Sequence, residues 1–437
     1  MHRLRLGFTN RRQTNSRKLS ELLSSIGTRL TRVLSEHERE FGGAVYGILA
    51  PAKSPKERTM KRKPQIAVVG AGAFGGWTAL YLLRRGARVT LVDAWGPGNS
   101  RASSGGETRV IRGAYGPDQL YTEMTARAFK LWREHERRWK RQFLHRIGVL
   151  WMTSSGDDAW QRASLARLEA AQIPYARLSP AQLRKRWPQI NFSGVDWALL
   201  EPESGYLTAR LACQAVVDGF VAEGGQYRQA GVLGTESDWS RPTTLTLSDG
   251  LRLRADRYVF ACGPWMSKLF PATIGERIRV TKQEIFFFGT PQGDPRYDEG
   301  NVPVWGDHGE RFMYGIPGNQ GRGFKLADDT RGSEFDPTSG ERVVSMEGVR
   351  VARDYVGFRF PGMKDAPLVE TRVCQYEETP DSHFLVDRHP GSDSVWLVGG
   401  GSGHGFKHGP ALGEKVAELV LGDKLAPPQW RRERFAK

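Results

Sequence analysis

Three glycines at fixed spacing, Gly70-Ala71-Gly72-Ala73-Phe74-Gly75, stand between an apolar run (Ile66 to Val69) and an amphipathic segment. That arrangement can hold a pyrophosphate. Gly70 permits the tight turn out of a strand, Gly72 lets the backbone approach the phosphates, and Gly75 lets a helix pack close to the strand. The helix N-terminus supplies free N–H groups and the positive end of its dipole. A second apolar run, Val89 to Val92, ends at Asp93, where a carboxylate can accept hydrogen bonds from a ribose diol. Strand, glycine turn, helix, strand and acid together point to dinucleotide binding and leave NAD, NADP and FAD open. A second glycine-rich turn, Gly399-Gly400-Gly401-Ser402-Gly403-His404-Gly405, follows the apolar run Val395–Val398. A helical pattern with Leu412, Val416, Leu419 and Val420 comes next, so this turn offers another helix N-terminus for negative charge. A nicotinamide cofactor does not need one. A flavin, anionic at its N1 edge once reduced, would gain from it.

These turns need elements to position them. Arg101–Gly116 is a polar, glycine-rich loop running into an apolar pair, and the amphipathic pattern over Leu120–His145 predicts a helix with a solvated Arg/Lys face. Helical stretches are expected at Ala159–Ala171 and Tyr206–Gly224, hairpin strands around Asp249-Gly250 within Val232–Asp256, and a buried strand at Tyr258–Cys262 ending in Gly263-Pro264-Trp265. Residues 275–375 read as mixed strands and loops. No internal repeat is present.

The chain has 437 residues, a length that suggests two or three domains. No apolar run is long enough to span a bilayer. Cys213, Cys262 and Cys374 are too few and too scattered for a disulfide framework or a zinc cluster, so no metal is expected and a reducing, cytoplasmic compartment is the simplest reading. The net charge of +16 suggests nucleic acid, but its distribution argues otherwise. Residues 1–63 hold ten Arg, five Lys and five Asp or Glu, a net +10, which leaves +6 for all the rest. That segment reads as a basic, disordered extension with one helix at Leu19–Leu34 and a Pro/Lys-rich linker at Pro51–Lys63, or as upstream sequence not used in the mature protein. Arg11-Arg12 lies too far from the short apolar stretch Gly42–Ala52 to make an export signal. No aromatic residues are interleaved with the charges as a stacking surface would require, so no nucleic-acid partner is expected.

The segments GAGAFGG…VDAW, GGETRVIRGAYG, YGIPGNQGRGFKL, VCQYEETPDSHFLVD and GGGSGHGFKHG occur in an order and spacing that resemble the monomeric sarcosine oxidase and N-methyltryptophan oxidase family. These are FAD-dependent amine oxidases of the D-amino acid oxidase superfamily. The resemblance covers about residues 64–430, and its VCxYxxTPDxHF and SGHGFK motifs are far more specific than the glycine loop.

The resemblance implies FAD, attached through a thioether from Cys374. A lone cysteine is otherwise an inert buried thiol. Attachment requires a thiolate, and Arg372, two residues away on the same strand face, would favour it. It also implies that Gly70, Gly72, Ala73, Phe74, Gly75, Asp93, Thr108, Arg109, Val232, Gly403, His404, Gly405 and Lys407 contact the cofactor. Arg112 and Lys407, otherwise ordinary surface cations, would grip a substrate carboxylate. Arg109 would lie against the flavin ring, and Lys325 would stabilise the charge formed as O2 is reduced. Tyr376, with Tyr314, would line the substrate pocket. Two positions depart from the family. Asp329 replaces a frequent histidine, and Trp305 a slimmer pocket residue. Both weaken sarcosine as the substrate, and an acid at 329 could meet a cationic amine, which points to a basic or larger amino acid.

The fold expected is α/β, α+β overall. A glutathione-reductase-like Rossmann FAD-binding domain (64–145, 205–275 and 382–437) joins a substrate domain with a large antiparallel sheet (146–204 and 276–381), as a monomer or small homo-oligomer. The activity expected is oxidation of an amino acid to an imine with O2 reduced to hydrogen peroxide. Two alternatives remain. The first is an FAD-dependent dehydrogenase passing electrons to a carrier or quinone. The second is a non-catalytic nucleotide-binding protein acting through its basic tail.

Overall fold

The computed structural model describes residues 62–154 and 156–436. The readings made for residues 1–61, including the helix at Leu19–Leu34, lie outside them. Gln65–Val69 forms the centre of a six-stranded sheet. Its neighbours are Arg88–Asp93 and then Gln226–Gln229 on one side, and Arg257–Phe260, Ser392–Gly399 and Leu385–His389 on the other. All pairs are parallel except the last, Leu385–His389 against Ser392–Gly399. Ala67, Val68, Leu91, Val259 and Leu397 are fully buried, as strands covered on both faces must be. The helix Ala73–Arg84 packs beside the C-terminal helix Gly409–Gly422. A side chain at Gly413 would strike the Trp77 backbone at 2.6 Å, so only glycine allows this approach.

A second sheet has eight strands, in the order Leu368–Glu378, Arg279–Phe288, Phe324–Asp328, Phe312–Ile316, Val304–His308, Val149–Ser154, Val195–Glu201 and Ala176–Leu178. It is antiparallel except where Val304–His308 runs parallel to Val149–Ser154. Strand alternation gives this sheet two faces. One carries Phe286, Phe324, Leu326, Met313 and Trp305 into a core under the helix Met346–Arg359. The other carries Ile285, Phe287, Ala327, Tyr314 and Cys374. A small antiparallel sheet of Thr108–Ile111, Gly205–Thr208 and Leu144–His145 completes the scaffold. Among the described residues no helix is long and apolar enough to cross a membrane.

Three expected elements differ from the structure. The helix predicted to reach His145 runs Gln119–Trp139, because Lys140 turns left-handed (φ 52°). The Glu136 side chain then accepts the N–H groups of Phe143 and Leu144, both at 2.6 Å, and the chain re-enters as a strand. The stretch Tyr206–Gly224 opens as the wholly buried strand Gly205–Thr208, and its helix spans Ala209–Ala222. The last glycine turn leads first into a short 3-10 turn, Phe406–His408, before its helix begins at Gly409.

Beneath the second sheet Arg359 and Asp307 form an ion pair at 2.6 Å, with side chains 5% and 4% exposed. Tyr355 donates to the same carboxylate at 2.8 Å. Removing one partner of such a pair strands a buried charge. Asp307→Ala is therefore expected to lower the unfolding free energy by about 3–5 kcal/mol in urea titrations. Replacing both residues with leucine should recover most of that loss.

Candidate active site

The glycine turn is built as its spacing requires. Gly70 has φ +103°, and a side chain there would sit 2.3 Å from the Ala261 carbonyl oxygen. At Gly75 it would sit 1.9 Å from the Gly70 carbonyl oxygen. The helix Ala73–Arg84 has no side-chain cap and no acid in its first turn, so its leading N–H groups are left for an anion. Asp93 also has structural work. It accepts from Ala71 N–H at 2.7 Å and from Trp95 and Gly96 N–H at 2.9 and 2.8 Å, and so ties the glycine turn to the following loop.

A cavity of about 370 Å³ opens at this turn. Its lining includes Asp93, Trp95 and Val232, the turn residues Gly70, Gly72, Ala73 and Phe74, and Arg109, Tyr376, Gly403 and Gly405. A glycine-walled cavity lined by a free helix N-terminus and by ring-bearing side chains fits a dinucleotide carrying a planar ring. A smaller cavity of about 170 Å³ adjoins it and shares Arg109, Tyr376, Gly403 and Phe406 as lining. Arg112, Trp151, Tyr314, Lys325, Asp329, Cys374, His404 and Lys407 line the smaller space.

Cys374 and Tyr376 alternate onto the cavity face of Leu368–Glu378. The cation at Cys374 is not Arg372, whose guanidinium is taken by Glu370 and, at 3.2 Å, by Glu107. It is Arg109, whose Nη2 donates to the Cys374 sulfur at 3.3 Å. The other Arg109 donors go to the carbonyls of Thr108 and Ser103. Thr108 lines neither cavity. Its carbonyl instead accepts from Lys325 Nζ at 3.1 Å. Burial first, and Arg109 second, bring the Lys325 pKa down to about 7.

Arg112 and Lys407 converge on Tyr115. The Arg112 guanidinium lies 4.1 Å from the Tyr115 ring centre and 5.3 Å from that of Trp151. Lys407 Nζ donates to the Tyr115 hydroxyl at 2.8 Å and to the His404 carbonyl at 2.7 Å. His404 donates from Nε2 to the Ser382 carbonyl at 2.9 Å, which leaves Nδ1 to accept from the Tyr115 hydroxyl at 3.1 Å. Burial, then Arg112, hold the Lys407 ammonium well below the usual lysine range. The loop bearing Arg112 is pinned by the buried Glu201, which accepts Gly113 N–H at 2.6 Å and Trp151 Nε1–H at 2.8 Å.

Tyr376 donates to Asp329 at 2.8 Å, and Arg331 approaches the same carboxylate at 3.3 Å. Burial raises the Asp329 pKa. The acid expected to await a cationic substrate is thus already answered from within. Trp305 also departs from expectation. It borders the cavity, but its indole is fully buried on the opposite face, 5.4 Å from Tyr355 and 5.1 Å from Phe360. Strand parity explains this, since its neighbour Val304 packs with Trp151 instead. Tyr115, Trp151, Glu201 and Arg331 were not singled out from the sequence. Tyr115 alone had a signal, lying three residues after Arg112 in the same segment.

The family described as DAO, FAD dependent oxidoreductase, matches residues 65–419. The chain is 29% identical over 377 residues to the monomeric sarcosine oxidase of Streptomyces avermitilis, covering 83% of this chain and 95% of that protein. It is 27% identical over 374 residues to the N-methyl-L-tryptophan oxidase of Yersinia pestis, covering 83% and 96%. Among solved structures, the L-proline dehydrogenase from P. horikoshii superposes with a TM-score of 0.73 at 22% identity, covering 86% of this chain and 98% of that one. NikD, an amino acid oxidase of nikkomycin biosynthesis, gives a TM-score of 0.68 at 22% identity, covering 84% and 96%.

Proposed function

The chain belongs to the DAO family of FAD dependent oxidoreductases, and from that premise we propose that it oxidises the C–N bond of an amino acid to an imine, with O2 reduced to hydrogen peroxide. The observation that carries this reading is the pair Arg112 and Lys407, gathered on Tyr115 in a small cavity that adjoins the cofactor cavity. An arginine and a lysine lining one buried pocket suit a carboxylate, which a simple amine lacks and whose charge would favour protonated Lys407.

FAD, when bound, takes up two electrons from the carbon next to nitrogen. The protein does the rest by placement. Arg112 and Lys407 hold the carboxylate, which fixes the reacting C–H toward the shared wall of the two cavities. Tyr314, Tyr376 and Trp151 shape the space around the amine. Asp329 and Arg331 orient the Tyr376 hydroxyl rather than receive the substrate. With Asp329 occupied and the cavity small, the fitting substrate is a modest secondary or primary amino acid whose amine binds neutral. Protonated Lys325 stabilises the negative charge that develops on oxygen. The FAD-binding portion comprises 64–145, 205–275 and 382–437, and the substrate portion comprises 146–204 and 276–381.

Cys374 attaches the cofactor covalently in this reading, with Arg109 as the facing cation. Protein precipitated with acid should keep its yellow colour, and Cys374→Ser should release all of it to the supernatant. Complete release from the unmodified chain would remove the covalent bond. The carboxylate assignment is tested by comparing an oxidised amino acid with the amine lacking only its carboxyl group. The amine should lose on the order of a hundred-fold or more in kcat/KM. Equal turnover of the two would overturn the role of Arg112 and Lys407.

A further inference from the structure

Glu377 is a buried acid that the reading above does not use. It follows Tyr376 on the same strand and lines the larger cavity. Its residue is 7% exposed. Oε1 accepts the Gly401 N–H at 3.2 Å. Oε2 is buried without a hydrogen-bond partner among the described residues. The carboxyl lies where two parallel strands end. Side chains added at Gly263 and Gly399 would each come within 3.7 Å of Oε2, and one at Gly401 within 3.0 Å of Oε1. Gly263 and Gly401 line the larger cavity beside Glu377, and glycine at these positions keeps Cβ atoms away from the carboxyl.

The elements packed around it bring little charge. The Gly263–Trp265 turn contributes the Cys262 thiol, which burial pushes up, with Asp93 and then Glu377 adding to the effect. The Gly399–Gly401 turn contributes backbone N–H groups, and the first turn of the helix Ala73–Arg84 contributes no acid. Only the Gly401 and Gly400 N–H groups answer an ionised carboxylate here, and burial outweighs them, lifting the Glu377 pKa to about 7. A buried hydroxyl without an acceptor is costly in turn.

We infer that Glu377 serves the cofactor as a neutral acid, donating its proton to an oxygen in the central, phosphate-and-sugar part of the bound dinucleotide. The placement follows from the carboxyl ends of the parallel strands, where a dinucleotide crosses such a sheet. A carboxylate there would face an anion with no donor to offer. A carboxylic acid offers one. Uptake of FAD is therefore coupled to protonation of Glu377. This rests on the assignment of FAD.

The test uses the full chain carrying Cys374→Ser, so that FAD binds reversibly, with the flavin removed and then titrated by fluorescence quenching. Kd should rise about tenfold between about pH 6 and pH 8 as Glu377 ionises. Glu377→Gln keeps a donor that does not titrate. It should hold Kd near the low-pH value throughout, with less than about twofold change. The same pH slope in Glu377→Gln would overturn the inference. Should that variant not fold, calorimetry of FAD binding near pH 8 in two buffers of different ionisation enthalpy decides. About one proton taken up per FAD is expected, and none taken up contradicts the coupling. Failure to bind FAD at any pH would instead count against the cofactor assignment itself.

Discussion

Arg112→Met is expected to raise KM for an amino acid substrate by on the order of a hundred-fold while lowering kcat much less. The methionine keeps an apolar stem of similar length; it loses the guanidinium carbon that lies 4.1, 5.3 and 5.7 Å from the ring centres of Tyr115, Trp151 and Trp160. What it removes is the guanidinium, and charge-assisted hydrogen bonds contribute about 1.5–3 kcal/mol each. The same site carries a pH signature. Burial and Arg112 depress the Lys407 pKa well below that of ordinary lysine, so the empty site resists holding two cations. A bound carboxylate supplies the missing counter-charge and favours protonated Lys407. Binding therefore weakens as pH rises and Lys407 loses its proton, and KM climbs on the alkaline side. Arg112→Met relieves Lys407 of its nearest cation, so the alkaline rise in KM should move to higher pH. An unchanged KM in the variant would place the carboxylate elsewhere.

Lys325→Met is expected to slow reoxidation by O2 by roughly 10²–10³-fold, the effect typical of losing one preorganised group that stabilises developing negative charge. Reduction of the flavin by substrate under anaerobic conditions should survive. Stopped-flow absorbance separates the two half-reactions. The Lys325 pKa is lowered to about 7, so the cation is present below that pH and is lost above it. Oxygen reactivity should accordingly fall as pH rises through the neutral range, and in Lys325→Met it should be flat. Reoxidation at the original rate in the variant would exclude Lys325 from the oxygen step.

The dinucleotide unit was legible because its parts are contiguous. Gly70 and Gly75 make the close backbone approaches that the spacing implies, and Asp93 in addition accepts the Ala71 N–H at the turn. The α/β class and the family followed from the same stretch and from the motifs around Cys374 and Gly403. The failures are non-local. Tyr115 meets His404 and His408 from the far end of the chain, and no periodicity reports such a contact. Arg372 is the sequence neighbour of Cys374, but Glu107 and Glu370 draw it aside, and Arg109 arrives from the small sheet instead. Trp305 shows how parity decides. A shift of one residue along a strand exchanges cavity for core, and the fully buried indole stacks under the sheet. Tyr206 read as helix because its strand partners, Val110 and His145, lie in separate segments.

The central claim, oxidation of an amino acid held by its carboxylate with oxygen as the acceptor, is tested most directly by one aerobic assay on purified protein. Oxygen consumption and hydrogen peroxide are measured together for N-methyl, cyclic and primary amino acids, each beside its decarboxylated amine. The expected result is peroxide formed one-for-one with oxygen consumed, from amino acids and not from the amines. Turnover of the amino acids only with an artificial electron acceptor, and no oxygen consumed, would contradict it.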